Sequence, residues 1–190
     1  MPEMNAVQQL IIAVDFCFEK RLIAPTLALL YSGIDTMAWL GLPDNQQDVT
    51  GEDFVQWVDR YLLPDSGVPC TAVDLYSSRC GIVHSMTGES RAIRRGAARR
   101  VFYAWGNHRA EDLQKILDRI GQPILAVQVD TLVRAFHTAT DRFVTASEQD
   151  PELNRRVGSR LGKVFTDMQL PSDADATPQE EMPACAEPSL

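Results

Sequence analysis

The chain has few cysteines and histidines and lacks the glycine patterns that mark several large classes of protein. Its four cysteines stand at wide spacings without a CxxC pair. Neither a zinc knuckle nor a disulfide framework is therefore expected, and a cytoplasmic location is the prediction. The three histidines lie far apart, which argues against a metal site built by one chain. Phosphate-loop, dinucleotide-binding, zinc-protease and serine-hydrolase motifs are missing, so we expect no metal and no cofactor.

Long apolar runs are missing as well. No run of 18 or more apolar residues occurs, and the best candidate stretch, 22–30, is short and contains Pro25 and Thr26. We therefore expect no membrane span. No basic segment leads into a cleavable apolar stretch at the N-terminus, so no signal peptide is expected either. A chain of 190 residues with 45% hydrophobic and 23% charged side chains is long enough to bury a sizeable core.

Apolar residues repeat at three- and four-residue spacing along most of the chain, which predicts helices with one buried face. Pro25 should either kink the first helix or begin the second. Capping residues mark the starts at Thr50, Thr71 and Asp150. The predicted helices cover residues 7–22, 25–41, 50–62, 71–86, 110–120, 124–147 and 150–168.

Two stretches depart from the helical pattern. Glycines punctuate residues 87–107, and 101–105 is rich in strand formers, so we predict a small hairpin or loop excursion near residues 88–106. Residues 171–190 hold four prolines, five acidic residues and no lysine or arginine. The predicted fold class is therefore all-α: a single helical-bundle domain over residues 1–170, followed by a disordered, acidic, proline-rich tail.

A basic stretch interrupts this acidic protein. Six arginines and no acidic residue lie between positions 91 and 109, in a chain whose formal net charge is −8. A concentrated positive patch can attract a polyanion such as RNA. The alternative is that these arginines form ion pairs with acidic groups of the same fold. The candidates for phosphate contacts are Arg91, Arg94, Arg95, Arg99 and Arg100.

The predicted helix 71–86 carries an arginine and a histidine five positions apart, Arg79 and His84. Ideal helix geometry places them about 140° apart around the axis, so they do not share a face. An arginine is nevertheless long enough to reach round the helix, and Gly81 leaves an open surface beside His84. The alternatives are that Arg79 pairs with a carboxylate, such as Asp74 or one from another helix, and that His84 only stabilises the helix end.

An arginine and a histidine together suit the cleavage of RNA. A histidine can take the proton of the ribose 2′-hydroxyl, or give one to the leaving 5′-oxygen. A guanidinium stabilises the negative charge that develops on phosphorus. No metal is needed, because the nucleophile belongs to the substrate. A two-fold homodimer would bring two such pairs into one cleft, so a homodimer is the expected assembly.

An all-helical bundle with Arg-x4-His near the end of an internal helix resembles the HEPN superfamily, which includes ribonuclease toxins and RNA-processing enzymes. The resemblance implies a metal-independent endoribonuclease in which Arg79 and His84 line a dimer cleft. It also implies RNA as substrate and a cognate antitoxin-like protein as partner. In active members a small polar residue often follows the arginine, and here Cys80 stands at that position. Cys80, Ser77 and Asp74 are the candidates for a supporting role.

The superfamily also contains non-catalytic relatives, so the sequence leaves a second function open. In that alternative the protein is a helical interaction module, a degenerate HEPN scaffold that binds a partner protein or a nucleotide. The basic stretch would then serve as the docking surface. Variants of Arg79 and His84 would keep partner binding, whereas charge reversals among the arginines would lose it.

Overall fold

The structure, a computed structural model, describes residues 5–121 and 123–165 and is mostly helical, as predicted. A π-helical segment, Val58–Leu62, directly continues the α-helix Gly51–Trp57. The predicted tail, 171–190, and the predicted domain end at 170 lie outside the described residues. In chain order the elements are α1 (Ala6–Glu19), α2 (Ile23–Gly41), α3 (Gly51–Trp57), α4 (Ala72–Ser85), α5 (Arg91–Arg94), β1 (Arg100–Ala104), α6 (Ala110–Asp118), β2 (Ile124–Gln128), α7 (Val129–Gln149) and α8 (Pro151–Leu161).

Side-chain caps begin three of these helices at the positions that the sequence predicted. Thr50 and Thr71 each accept a hydrogen bond from the backbone N–H three residues later, and Asp53 and Asp74 accept one from the backbone N–H of the cap. Asp150 accepts from the first amides of α8 in the same way. Each cap satisfies amides that the helix would otherwise leave unpaired, and so defines where the helix starts.

The helix α2 forms the centre of the fold. It begins anew after a short break that follows α1, with Pro25 in its first turn, where the missing N–H costs no helical hydrogen bond. Its residues Leu30, Tyr31 and Ile34 are fully buried. By length and composition alone α2 could cross a membrane, a property that buried core helices share, and half of that span is buried inside the fold.

A largely non-helical excursion does lie near residues 88–106, but it is not the hairpin that was one of the two predicted forms. It contains the one-turn helix α5 and the strand β1, and β1 pairs in parallel with β2, from Arg100 opposite Ile124 to Ala104 opposite Gln128. The partner strand was predicted as the start of a helix, but α7 begins only at Val129. Parallel strands need a crossover connection, and α6 supplies it.

Candidate functional site

Arg79 and His84, in the second half of α4, are in direct contact. The Nη1 atom of Arg79 lies 3.2 Å from Nε2 of His84. His84 is exposed, and the Arg79 side chain is 21% exposed. The two residues meet because the arginine reaches round the helix, as the length of its side chain allows. Since a guanidinium only donates hydrogen bonds, Nε2 is the acceptor in this contact, and the neutral imidazole carries its proton on Nδ1.

Asp35 of α2 holds the other side of the guanidinium. Its Oδ2 accepts a hydrogen bond from Nε of Arg79 at 2.7 Å and lies 2.6 Å from Nη2. Burial acts to lower the pKa of Arg79, but the hydrogen bond and charge of Asp35 outweigh it and keep that pKa above its usual value. Burial raises the pKa of Asp35, and Arg79 and His84 offset only part of this rise. Asp35 therefore fixes the guanidinium so that Nη1 faces His84.

Sequence reasoning missed Asp35. A carboxylate from another helix was one expected partner of Arg79, but Asp35 lies 44 positions away in the chain, and no local pattern connects the two residues. The signal present in the sequence is an acidic residue within the most apolar helix of the protein, α2. An isolated carboxylate on a largely buried helix needs a partner, because burying an unpaired charge is costly.

Of the three residues proposed to support the pair, Cys80 lies beside it. This half-buried thiol raises the pKa of Arg79 and contributes, after burial, to the raised pKa of Tyr76. The other two residues face elsewhere. Ser77 is buried and shares a hydrogen bond with the Ser90 hydroxyl, and Asp74 is buried in an ion pair with Arg99. Both therefore join α4 to the excursion rather than to the arginine–histidine pair.

Gly81 does not leave an open surface beside His84, so that expectation was wrong. A Cβ atom at Gly81 would stand 2.5 Å from the backbone oxygen of Thr87 and 2.6 Å from that of Glu89. The chain reverses at Met86, which has the left-handed φ of 51°, and the following segment closes against the helix. The protein's own backbone therefore occupies the space that the sequence assigned to a substrate or to a second helix.

The five arginines proposed for phosphate binding divide into two groups. Arg99 forms an ion pair with Asp74 at 2.6 Å, and Arg100 forms one with Glu89. For these two arginines the alternative interpretation is correct: they form ion pairs with acidic groups of the same fold. The other three are exposed and have no ion pair within residues 5–121 and 123–165. The arginines still available to a polyanion are those of the α5 turn: Arg91, Arg94 and Arg95.

The ion pair of Asp74 should make stability depend on pH. Burial acts to raise the pKa of Asp74, but hydrogen bonds from Arg99 and Thr71 outweigh it, so the pKa lies below its usual value. The carboxylate therefore stabilises the fold above about pH 4, and this stabilisation is lost as the pH falls through the folded-state pKa. We expect Asp74→Asn to lower the free energy of unfolding by about 2 kcal/mol at pH 7.

Urea unfolding of wild type and Asp74→Asn at several pH values tests this expectation. The difference between the two proteins should shrink as the pH falls below about 4, because the unfolded wild-type carboxylate gains a proton there and the folded one gains its proton only at lower pH. Asp112→Asn is the matched control, because Asp112 pairs with Lys115 on the surface, with both side chains more than half exposed. A difference for Asp74→Asn that stays constant down to pH 3 would contradict the role of the carboxylate.

Comparison with known proteins adds no constraint on this site. No protein-family model, no curated protein and no solved structure matches the chain. Within the described residues, no group of three or more histidine, cysteine, aspartate or glutamate side chains could hold a metal ion. A functional assignment therefore depends on the contact between Arg79 and His84, on its anchor Asp35, and on the exposed arginines of α5.

Proposed function

We propose that the protein is a metal-independent endoribonuclease of the HEPN type that acts on RNA as a homodimer. The observation that carries the proposal is the 3.2 Å contact between Nη1 of Arg79 and Nε2 of His84. The contact lies at the solvent-exposed end of α4, where a polymer can reach it. The cysteine spacing adds a cytoplasmic location to the proposal, and the family resemblance adds a cognate antitoxin-like partner.

The proposed reaction begins with the exchange of one hydrogen bond. A phosphate oxygen of RNA takes the place of Nε2 on Nη1 of Arg79, and this frees Nε2 of His84 to accept a proton. The ribose 2′-oxygen gives its proton to Nε2 and forms a bond to phosphorus, while the guanidinium stabilises the added negative charge. The bond between phosphorus and the 5′-oxygen then breaks.

The leaving 5′-oxygen needs a proton, and the same His84 is already protonated on the side of the nucleophile. In the proposed homodimer His84 of the second copy, which has taken up a proton from solvent at Nε2 before the reaction, supplies that proton, and the two histidines exchange roles in the next turnover. The products are a 2′,3′-cyclic phosphate and a 5′-hydroxyl, so atoms and charge balance without a metal ion. Asp35 contributes by holding Arg79 in place, so that the donor is oriented before the substrate arrives.

Purified protein incubated with RNA in EDTA tests the proposal. We expect cleavage to continue in the chelator and to leave 2′,3′-cyclic phosphate ends, which labelling of the products identifies. Light scattering after gel filtration should give the mass of a dimer. Cleavage that requires added magnesium, or a protein that cleaves only as a monomer, would contradict the mechanism.

A non-catalytic interaction module is the second candidate, and the ion pair between Asp35 and Arg79 favours it, because a purely structural arginine would form the same contact. The two functions predict different results. A module should bind RNA, a nucleotide or a partner protein without cutting RNA, and Arg79→Ala and His84→Ala should leave that binding unchanged. Cleavage in EDTA that is lost in His84→Ala excludes this candidate.

The three exposed arginines of the α5 turn should account for much of the salt dependence of RNA binding. Each phosphate contact contributes about 0.7 to the slope of log K against log salt for single strands. Glutamine at all three positions should therefore lower that slope by about 2 and weaken binding at low salt. Fluorescence anisotropy with a single-stranded RNA measures this slope, and both proteins carry His84→Ala so that the RNA is not cleaved during the titration. The three positions are Arg91, Arg94 and Arg95.

The matched control for this experiment removes the same charge from other parts of the surface. Three exposed arginines outside the α5 turn serve this purpose: Arg21, Arg119 and Arg134. If the control triple lowers the salt slope as much as the α5 triple does, then the effect comes from net charge alone. That result would contradict a localised phosphate-binding surface.

A further inference from the structure

A cavity away from the arginine–histidine pair is lined by residues whose hydrogen-bond donors have no acceptor within residues 5–121 and 123–165. It has a volume of about 190 Å³ and lies between the end of α2, the π-helical continuation of α3, α7 and the start of α8. Trp57, which lines it, is only 5% exposed, and its indole Nε1 has no hydrogen-bond partner among the described residues. The same holds for the buried Nε of Arg156, another lining residue, in the described part of the chain.

These unpaired donors need an explanation, because buried N–H groups in folded proteins nearly always have an acceptor. Trp57 stands where α3 passes into the π-helical segment Val58–Leu62, and π-helical turns are frequent at functional sites. Arg156 has one weak contact, in which Nη1 lies 3.5 Å from Glu152. Both nitrogens are closed to solvent, so an acceptor that enters the cavity reaches them only after the two side chains turn toward it.

The acidic side chains that line the cavity are already engaged. Asp53 accepts hydrogen bonds from the backbone N–H of Thr50 at 2.8 Å and from Gln46 at 2.6 Å. Asp150 accepts two amides of α8 at 3.0 and 3.2 Å. Arg60, a further lining residue, has no ion pair within the described part of the chain. Each carboxylate thus binds neighbouring groups of the chain through one oxygen, Oδ2 of Asp53 and Oδ1 of Asp150, whereas Trp57 and Arg156 keep donors without an acceptor among the described residues.

Aromatic rings form another part of the cavity lining. The ring centroid of Tyr61 lies 5.6 Å from that of Trp57 and 5.4 Å from that of Phe143, and all three side chains line the cavity. Such rings offer a surface for a flat apolar group. The volume equals about six water molecules at ~30 Å³ each, so the occupant is small.

We infer that this cavity binds a small organic carboxylate with an apolar body. One carboxylate can accept from the forked guanidinium of Arg156 and from the indole N–H of Trp57, because it has two oxygens with several acceptor positions. Its apolar body lies against the aromatic rings. A free phosphate has the acceptors but no apolar body, and a neutral amide of the same shape has fewer acceptor positions and no charge.

Titration of the full-length protein with benzoate tests this inference by NMR of the tryptophan indole N–H groups. Trp57→Phe keeps an aromatic ring and removes the donor, so its spectrum assigns the Trp57 resonance. We expect this resonance to shift saturably with benzoate in the wild type. Arg156→Gln should raise the dissociation constant about tenfold or more, the effect of one charge-assisted hydrogen bond. The exposed Arg119→Gln is the matched control and should bind benzoate like the wild type.

Two parallel titrations separate the alternatives. Benzamide, the neutral isostere, and inorganic phosphate should each shift the Trp57 resonance at least tenfold less effectively than benzoate. Equal binding of benzamide or tighter binding of phosphate would overturn the carboxylate assignment. A Trp57 resonance that does not respond to benzoate would show that the donors bind only water, and would overturn the site itself. If Trp57→Phe does not fold, Trp39→Phe and Trp105→Phe identify the other two indole resonances, and the wild-type titrations then decide these points.

Discussion

Replacement of His84 by alanine should lower the rate of RNA cleavage about 1,000-fold, the scale of a lost general acid–base group. The folded structure should change little, because His84 is exposed and, among the described residues, its side chain forms a hydrogen bond only with Arg79. We therefore expect the melting temperature to stay within about 2 °C of the wild-type value. Single-turnover cleavage of a labelled RNA in EDTA, together with a thermal melt, measures both quantities.

His108→Ala is the matched control for this variant, because His108 is also an exposed histidine. The His108→Ala protein should cleave RNA at the wild-type rate.

Arg79→Lys tests the second half of the pair. Lysine keeps the charge but not the forked donors that contact Asp35 and His84, so we expect a loss of about 100-fold or more.

The double variant Arg79→Lys/His84→Ala should be hardly slower than His84→Ala alone, because residues that act on one phosphate as a unit are not additive. Multiplied losses in the double variant would show that the two residues act independently. Wild-type activity in His84→Ala would contradict the proposed mechanism outright.

Replacement of Gly81 by alanine should lower the free energy of unfolding by about 1–3 kcal/mol, the usual cost of overpacking. The new Cβ would stand 2.5 Å from the backbone oxygen of Thr87 and 2.6 Å from that of Glu89. Backbone atoms cannot move aside as the end of a flexible side chain can, so the segment after α4 must shift. Urea unfolding followed by circular dichroism measures the change.

Gly158→Ala is the control with the opposite expected sign. Gly158 lies within α8 and nothing stands within 4 Å of its added Cβ. Alanine there should raise the free energy of unfolding by about 0.5–1 kcal/mol, because it favours the helix and restricts the unfolded chain. A Gly81→Ala protein as stable as wild type would show that the segment 87–89 is free to move away from α4.

Local sequence patterns predicted the helix starts well, because the hydrogen bonds that define a helix start join residues close together in the chain. The caps at Thr50, Thr71 and Asp150 were correct because a capping side chain bonds to amides two or three residues away. The strand β2, Ile124–Gln128, was predicted as helix, since a short apolar run fits a buried strand and a buried helix equally well. Its partner β1 lies 24 positions earlier and pairs in parallel, which no local spacing reveals.

The candidate site also combines features that the sequence predicts with contacts that only the folded chain creates. Sequence reasoning selected Arg79 and His84 from the chemistry of their side chains, but an ideal helix separates them. It also assigned Asp74 and Ser77 to their support, whereas the structure engages Asp74 with Arg99 and Ser77 with Ser90. Neighbours along a helix are thus poor guides to partners, because side chains on its different faces meet different elements.

By itself the sequence determined the helical class of the fold, the starts of its capped helices, and the two residue types that suit cleavage of a phosphodiester. These follow from periodicity, from short-range hydrogen bonds and from intrinsic chemistry. Only the tertiary structure decided that Asp35 holds Arg79 against His84, that backbone fills the space beside Gly81, and that three arginines of the basic stretch have no ion pair among the described residues. Each of these depends on groups that lie far apart in the chain and meet only when the core buries them together.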